Sequence, residues 1–149
     1  MTSWTPSISS PLGRTPQLTE KVFGQPLGED EAYGQIERGF EAGVLERFLR
    51  LFPGSVDGVR NALKLSERTL ARRRNAGRFN AVESDRLYRL ITLYLQAADV
   101  LESALAADVW MNSPALVLGE RTPLEFAQNE AGACQVRDLL IRIDHGVYS

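Results

Sequence analysis

The sequence predicts an all-α fold, and three kinds of observation support this prediction. Apolar residues recur every three or four positions from Ile36 to Phe52 and again from Val82 to Leu105, as they do along one face of a helix. Helix-start signals precede several segments, and Gly77 and Gly146 stand where two helices would end. No pair of segments shows the alternating pattern that is typical of paired strands.

The composition is typical of a cytoplasmic globular protein. The 149 residues, 44% of them hydrophobic and 24% charged, are enough to build a hydrophobic core. The start of the chain lacks the basic and apolar stretches of a signal peptide, and the most apolar run, Leu87 to Leu101, is too polar for a membrane span. With a single cysteine, Cys134, and a single histidine, His145, we expect no intramolecular disulfide, no four-ligand zinc site and no cofactor.

The first 28 residues are predicted to form a flexible arm. They contain four prolines, each of which removes a backbone donor and disfavours helix in the preceding residue: Pro6, Pro11, Pro16 and Pro26. Trp4, Leu18 or Phe23 could anchor this arm to the rest of the chain, or the arm could be disordered throughout.

Residues 29–103 are predicted to be a helical region that contains a helix-turn-helix and a long helix. The segment up to Phe52 fits one helix or two with a bend, because glycines interrupt it. Asn80 to Glu83 has the spacing of a capping box and should open the long helix, which runs unbroken or with one kink to Trp110. The apolar face of this helix is broad, so it fits either a dimerisation surface or the central helix of a monomer. Residues 104–149 are predicted to be a separate C-terminal helical domain, with a helix start at Thr122.

A basic segment lies between Arg60 and Arg78, where seven basic residues stand against one acid, Glu67. Ser55 and Ser66 are candidate N-caps of two short helices joined at Lys64–Leu65, which is the arrangement of a helix-turn-helix. The second helix would present three residues to base edges, Arg68, Thr69 and Arg72, and three to phosphates, Arg73, Arg74 and Arg78. DNA is the expected ligand. RNA, an acidic protein partner or a solvated basic face are the alternatives.

Several stretches in order resemble one known family. Leu65–Arg73 and Arg78–Leu87 resemble the central region of Xre/MbcA/ParS-type antitoxins. Four later stretches resemble the toxin-binding domain of the same family: Ala107–Pro114, Leu118–Leu124, Glu130–Gly132 and Val136–Ser149. The whole match begins near Ile36 and runs to Ser149. The sequence departs from the family pattern at three positions: Lys64 at the turn, and Met111 and Glu120 where leucine and glycine are more usual.

This resemblance implies a partner, a mechanism and an assembly. The partner would be a RES-domain toxin that consumes NAD, and the antitoxin would repress its own operon through the helix-turn-helix. The family also implies a homodimer that forms a higher-order complex with the toxin and binds operator DNA. No membrane partner is expected, because the most apolar run is too polar to span a membrane.

The C-terminal end supplies the candidate toxin-binding residues: Arg142, His145, Gly146, Val147, Tyr148 and Ser149. A short tail with a free carboxylate, placed after a rigid helix, can plug a concave pocket that otherwise receives a phosphate. We therefore expect this tail to block the toxin's NAD pocket, although a frayed terminus is the ordinary state of a chain end.

No constellation in the sequence indicates an enzyme. Asp144 and His145 are adjacent rather than spaced as a catalytic pair, and no glycine-rich phosphate loop is present. Besides the antitoxin, two other functions fit the sequence: a free-standing transcriptional regulator, and a scaffold or polar-localisation module of the ParS branch.

Overall fold

The computed structural model describes residues 16–146, and it confirms the all-α prediction for them. These residues contain no strand, only two isolated bridges, Glu41–Arg78 and Ala115–Arg121. The helices are α1 (Pro16–Phe23), α2 (Glu29–Arg38), α3 (Ala42–Leu51), α4 (Val56–Leu63), α5 (Glu67–Ala76), α6 (Ala81–Leu101), α7 (Ala104–Met111), α8 (Pro123–Phe126) and α9 (Glu130–Asp144). Two 3₁₀ turns, Pro53–Ser55 and Leu116–Leu118, connect α3 to α4 and α7 to α8.

Helix α6 is the central helix of the fold. Helices α2, α4, α7 and α9 all pack against it, and Tyr94 in its middle is fully buried. The rings of Phe48 in α3 and of Phe52, just after that helix, have their centroids 5.0 and 4.8 Å from that of Tyr94. All of α6 is described, and Val82 is its one exposed large apolar residue. The broad apolar face of this helix is therefore covered within the chain, and the structure favours the central-helix interpretation over the dimerisation surface.

The long helix does not continue to Trp110. It ends at Leu101, where Glu102 takes the left-handed conformation (φ 61°), and α7 leaves at an angle of 120°. The hydroxyl of Ser103 caps α7 by accepting from the Ala106 N–H (3.0 Å). Of the two alternatives, the kinked one is correct. Among the described residues, no single helix is long and apolar enough to cross a membrane; α6 and α7 reach that length and apolarity only as a bent pair.

Residues 16–23 form a helix where the sequence analysis expected a flexible arm. Pro16 occupies the first turn of α1, where its missing N–H costs no hydrogen bond. Val22, Phe23 and Leu27 are buried, and the Phe23 ring lies 5.5 Å from that of Phe40. The arm prediction is wrong for this segment, because the prolines flank a helix whose apolar side has a tertiary surface to cover. Residues 1–15, which include Trp4, lie outside the described residues.

The helix-turn-helix and the C-terminal helices pack directly on each other. The Gly54 N–H donates to Oδ2 of Asp108 in α7 (2.7 Å). A Cβ on Gly58 of α4 would lie 2.7 Å from Cδ2 of Leu124 in α8, so a larger residue there would require the Leu124 side chain to shift. The boundaries that the sequence predicted, residues 29–103 and 104–149, remain a prediction.

Candidate nucleic-acid interface and C-terminal surface

Helices α4 and α5 form the predicted helix-turn-helix. Lys64, in the turn between them, takes the left-handed conformation (φ 60°) that usually favours glycine. Ser66 caps α5 as predicted, its hydroxyl accepting from the Thr69 N–H (3.1 Å). Gly77 ends the helix in the left-handed conformation (φ 86°), and its N–H donates to the Arg73 carbonyl (2.8 Å).

Helix α5 projects from the molecule. Of its ten residues, all of them described, only Leu70 is buried. Its four arginines and Asn75, all of them described, are exposed or half-exposed on the remaining faces. In helix-turn-helix proteins the second helix of the motif enters the major groove, and an exposed helix fits that arrangement.

Arg68 and Arg72 are the predicted base-contacting residues with free side chains. Both are exposed, and neither forms a hydrogen bond or an ion pair with any residue between 16 and 146. Thr69 is half-buried, and its Oγ1 accepts a hydrogen bond from the Ser66 hydroxyl (3.0 Å). Thr69 therefore contributes to the start of α5, whereas Arg68 and Arg72 have all their donors available to a ligand.

The three predicted phosphate-contacting arginines all have partners within the chain. Arg73 donates twice to Glu83 of α6, from Nε (2.8 Å) and Nη2 (2.9 Å). Arg74 pairs with Glu46 of α3 (2.6 Å), and Arg78 donates to the Gly39 carbonyl. The sequence reasoning missed these partners, because both acids lie on other helices and a local charge count does not include them.

Arg73 fixes the orientation of α5 on α6. Glu83 is buried, with a side chain that is 8% exposed, and it also accepts from the Asn80 N–H (2.9 Å) in the predicted capping box. Burial alone would raise the pKa of Glu83, but the hydrogen bonds from Arg73 and Asn80 and the charges of Arg73 and Arg72 lower it below its ordinary value. The carboxylate is therefore ionised at neutral pH, and Arg73 serves as its counter-charge.

The C-terminal helix presents its polar end at the surface. Helix α9 buries Ala133, Val136 and Leu140 against the core, and Arg142 is exposed. His145 and Gly146 are exposed just beyond its end, and Gly146 has the left-handed conformation (φ 74°) expected of a residue that ends a helix. Val147, Tyr148 and Ser149 lie outside the described residues.

The C-terminal half also exposes apolar side chains that the sequence analysis did not single out. Among the described residues, seven large apolar side chains are exposed, and four of them lie beyond α6: Leu105, Val109, Leu116 and Val117. The periodic pattern placed Leu105 on the buried face of the long helix; that prediction is wrong, because the break at Glu102 turns α7 and leaves Leu105 72% exposed. Exposed apolar groups of this kind are typical of protein-binding surfaces.

Comparison with known families covers both parts of this structure. Residues 31–91 match the model of the antitoxin Xre-like helix-turn-helix domain, and residues 96–146 match that of the antitoxin Xre/MbcA/ParS C-terminal toxin-binding domain. Antitoxin Xre of Yersinia enterocolitica (serotype O:8 / biotype 1B) is 33% identical over 142 residues, which are 91% of this chain and 96% of the relative.

The chain belongs to the Xre antitoxin family. A second relative, antitoxin Xre of Photorhabdus laumondii subsp. laumondii, is 36% identical over 74 residues, or 49% of this chain and 50% of that protein. The two family matches meet within α6, so the helix that carries the core also joins the helix-turn-helix domain to the toxin-binding domain. The resemblance seen in the sequence is confirmed.

Proposed function

We propose that this chain is the antitoxin of a type II toxin–antitoxin system that blocks a RES-domain, NAD-consuming toxin and represses its own operon. One observation carries the proposal: a helix-turn-helix with two unpaired arginines and a matched toxin-binding domain with exposed apolar groups are parts of one packed chain. The proposed role is that of a cytoplasmic binding protein rather than an enzyme.

Two features support a toxin-binding role for the C-terminal half. Leu105 and Val109 are four residues apart on α7 and so share one face of that helix. At the other end of the domain, α9 holds Arg142, His145 and Gly146 at the surface, so that the tail from Arg142 to Ser149 can reach into the toxin's NAD pocket. We assign the apolar face of α7 to docking and the tail to occlusion.

The DNA-binding role rests on Arg68 and Arg72. An arginine fork pairs with the O6 and N7 atoms of guanine through two hydrogen bonds, which fits side chains that are held by no internal partner. A homodimer would place two copies of α5 on half-sites about 34 Å apart on a palindromic operator. The dimer contact must use a surface other than the apolar face of α6, because the chain itself covers that face.

The proposal is tested by measuring cellular NAD after the neighbouring toxin gene is induced, with and without this chain. NAD should fall with the toxin alone and hold when the chain is co-expressed. A variant that ends at Gly146 should fail to protect if the tail occludes the pocket. If that variant protects fully, tail occlusion is wrong.

A matched pair of variants tests the docking surface on α7. Val109 and Val82 are equally exposed, 60% and 59%, but only Val109 lies in the matched toxin-binding domain. Val109→Gln should weaken toxin binding by about 5–30-fold, which corresponds to about 1–2 kcal/mol of lost apolar contact, whereas Val82→Gln should leave it unchanged. Equal binding by the two variants would remove α7 from the interface.

A free-standing transcriptional regulator is the second candidate, because the helix-turn-helix by itself supports it. This function predicts operator binding without any toxin gene beside the chain's own gene. If NAD holds steady with and without the chain while the promoter DNA is still bound, the regulator becomes the better account.

A further inference from the structure

A cavity of about 400 Å³ opens beside the C-terminal end of α5, and three arginines line it. Arg38 comes from the end of α2, Arg47 from α3, and Arg78 from the residue that follows Gly77. Gln25 and Gln35 add amide groups to the wall. We call this cavity the arginine pocket. Neither Arg68 nor Arg72 lines it. The Ala42 N–H donates to the Gly77 carbonyl (2.9 Å) and so joins the end of α5 to the start of α3 beside the pocket.

Arg47 is fixed in place by backbone groups. Its Nε donates to the Val22 carbonyl (2.8 Å), and its guanidinium lies between two glycines. A Cβ on Gly43 would be 3.0 Å from Nη1, and a Cβ on Gly24 would be 3.2 Å from Nη2. The half-buried side chain is thus held in one orientation, so little side-chain entropy remains to be lost when a ligand binds.

The charges of the arginine pocket are not balanced within the described part of the chain. Neither Arg38, Arg47 nor Arg78 forms an ion pair with a carboxylate among residues 16–146. Arg78 donates to the Gly39 carbonyl, which leaves its other guanidinium donors available. Glu41 is the one acid in the wall, so the pocket keeps a net charge of about +2 (three arginines less one glutamate).

Three other arginines of the chain each form an ion pair with a carboxylate that balances their charge. Arg60 pairs with Glu67 (2.7 Å), Arg73 with Glu83 (2.8 Å) and Arg74 with Glu46 (2.6 Å). Arg47 is half-buried and has, among the described residues, only the Val22 carbonyl as a partner, so its positive charge is partly removed from water without a counter-charge, which is unfavourable. The complement that this pocket lacks is an anion, and a planar guanidinium fork fits the oxygens of a phosphate.

We propose that the arginine pocket binds a phosphate group. Two sources have this chemistry: the backbone of the bound operator, which rests on the DNA-binding role proposed above, and a free phosphorylated small molecule. A backbone phosphate would extend the DNA footprint beyond α5 to α2 and α3. A free phosphate compound would give the chain a ligand next to its DNA-binding helix.

Binding of inorganic phosphate by the full chain tests the pocket directly. The dissociation constant is measured by titration calorimetry in chloride buffers of matched ionic strength. Arg38→Gln should weaken phosphate binding by about tenfold or more, because it removes charge-assisted hydrogen bonds from an exposed residue that the fold does not need. Arg121→Gln is the matched control: Arg121 is also exposed and forms no ion pair in the described residues, but it lies outside the pocket, and its loss should change nothing.

The salt dependence of promoter-DNA binding identifies the source of the phosphate. If a backbone phosphate occupies the pocket, Arg38→Gln should lower the slope of log K against log salt by about 1, and Arg121→Gln should not. An unchanged slope together with the expected loss of inorganic phosphate binding assigns the pocket to a free phosphate compound. Failure of the unaltered chain to bind its promoter would contradict the proposed function but leave the calorimetric test of the pocket intact. If Arg38→Gln changes neither the phosphate affinity nor the slope, the inference is overturned.

Discussion

Gly132 lies close against the backbone of Phe126, and its replacement by alanine should be strongly destabilising. A Cβ at Gly132 would lie 1.7 Å from the carbonyl oxygen of Phe126, whereas a carbon and a carbonyl oxygen rest at about 3.3 Å. Helix α9 or the end of α8 would therefore have to move by about 1.5 Å. That movement would loosen Ala133 and Val136, which are fully buried beside it.

The magnitude follows from two opposing effects. Overpacking of this kind costs about 1–3 kcal/mol and occasionally more, while alanine gains up to about 1 kcal/mol over glycine in a helix. Because the nearest obstacle is the backbone carbonyl of Phe126 rather than a flexible side chain, we expect the cost to lie at or above the upper end, for a net loss of about 2–3 kcal/mol. The melting temperature should then fall by about 5–10 °C.

Gly34→Ala is the matched control for this experiment. Gly34 also lies within a helix, but a Cβ there would meet only the end of the Arg38 side chain, at 3.4 Å. This variant should be as stable as the unaltered chain or up to about 1 kcal/mol more stable. Urea unfolding followed by circular dichroism measures both. If Gly132→Ala does not lower the free energy of unfolding relative to the unaltered chain, the close-approach argument for Gly132 is refuted.

Three further predictions concern the helix-turn-helix. Arg73→Ala should lower the free energy of unfolding by about 1–3 kcal/mol, because it leaves the buried Glu83 carboxylate without its counter-charge. Arg72→Ala should change stability by less than about 0.5 kcal/mol but weaken operator binding by about 5–100-fold. Thermal melts and gel shifts measure both variants, and a larger loss of stability in Arg72→Ala than in Arg73→Ala would contradict these roles. Folding lowers the pKa of Glu83, so the stability that its carboxylate contributes is present above its ordinary pKa of 4.5 and is lost as the pH falls through the folded value. Glu83→Gln should therefore lose less stability than the unaltered chain when the pH is lowered from about 6 to about 3. Equal losses in the two proteins would contradict this linkage. Lys64→Gly should stabilise the chain by up to about 1 kcal/mol and so raise the urea midpoint of unfolding, because glycine adopts φ 60° without strain. A lower midpoint would show instead that the Lys64 side chain stabilises the turn.

The start and end of several helices could be predicted from the sequence because each signal acts over three or four residues. Ser66 and Asn80 cap α5 and α6 as predicted, Thr122 opens α8, and Gly77 ends α5 in the left-handed conformation. Each of these contacts joins atoms no more than four residues apart, so residue type and spacing are sufficient to find them. The helix-turn-helix could be predicted for the same reason.

The candidate site was predicted in part. Arg68 and Arg72 have the free side chains that the spacing indicated, whereas Arg73 and Arg74 are held by Glu83 and Glu46. Those acids are ten and 28 residues away along the chain, and only the folded arrangement of α3, α5 and α6 brings them close to the arginines. A charge count over a short window therefore overestimated the number of free arginines.

The sequence by itself determined the helical class, the local caps, the basic turn-linked helices and the family. Only the tertiary structure decided that α6 is buried as the central helix, that α7 turns away and exposes Leu105, and that Arg38, Arg47 and Arg78 line one pocket. The physical reason is the range of the interactions. Helix caps depend on neighbours in the chain, whereas burial, ion pairing and pocket formation depend on residues that become neighbours only when the helices pack.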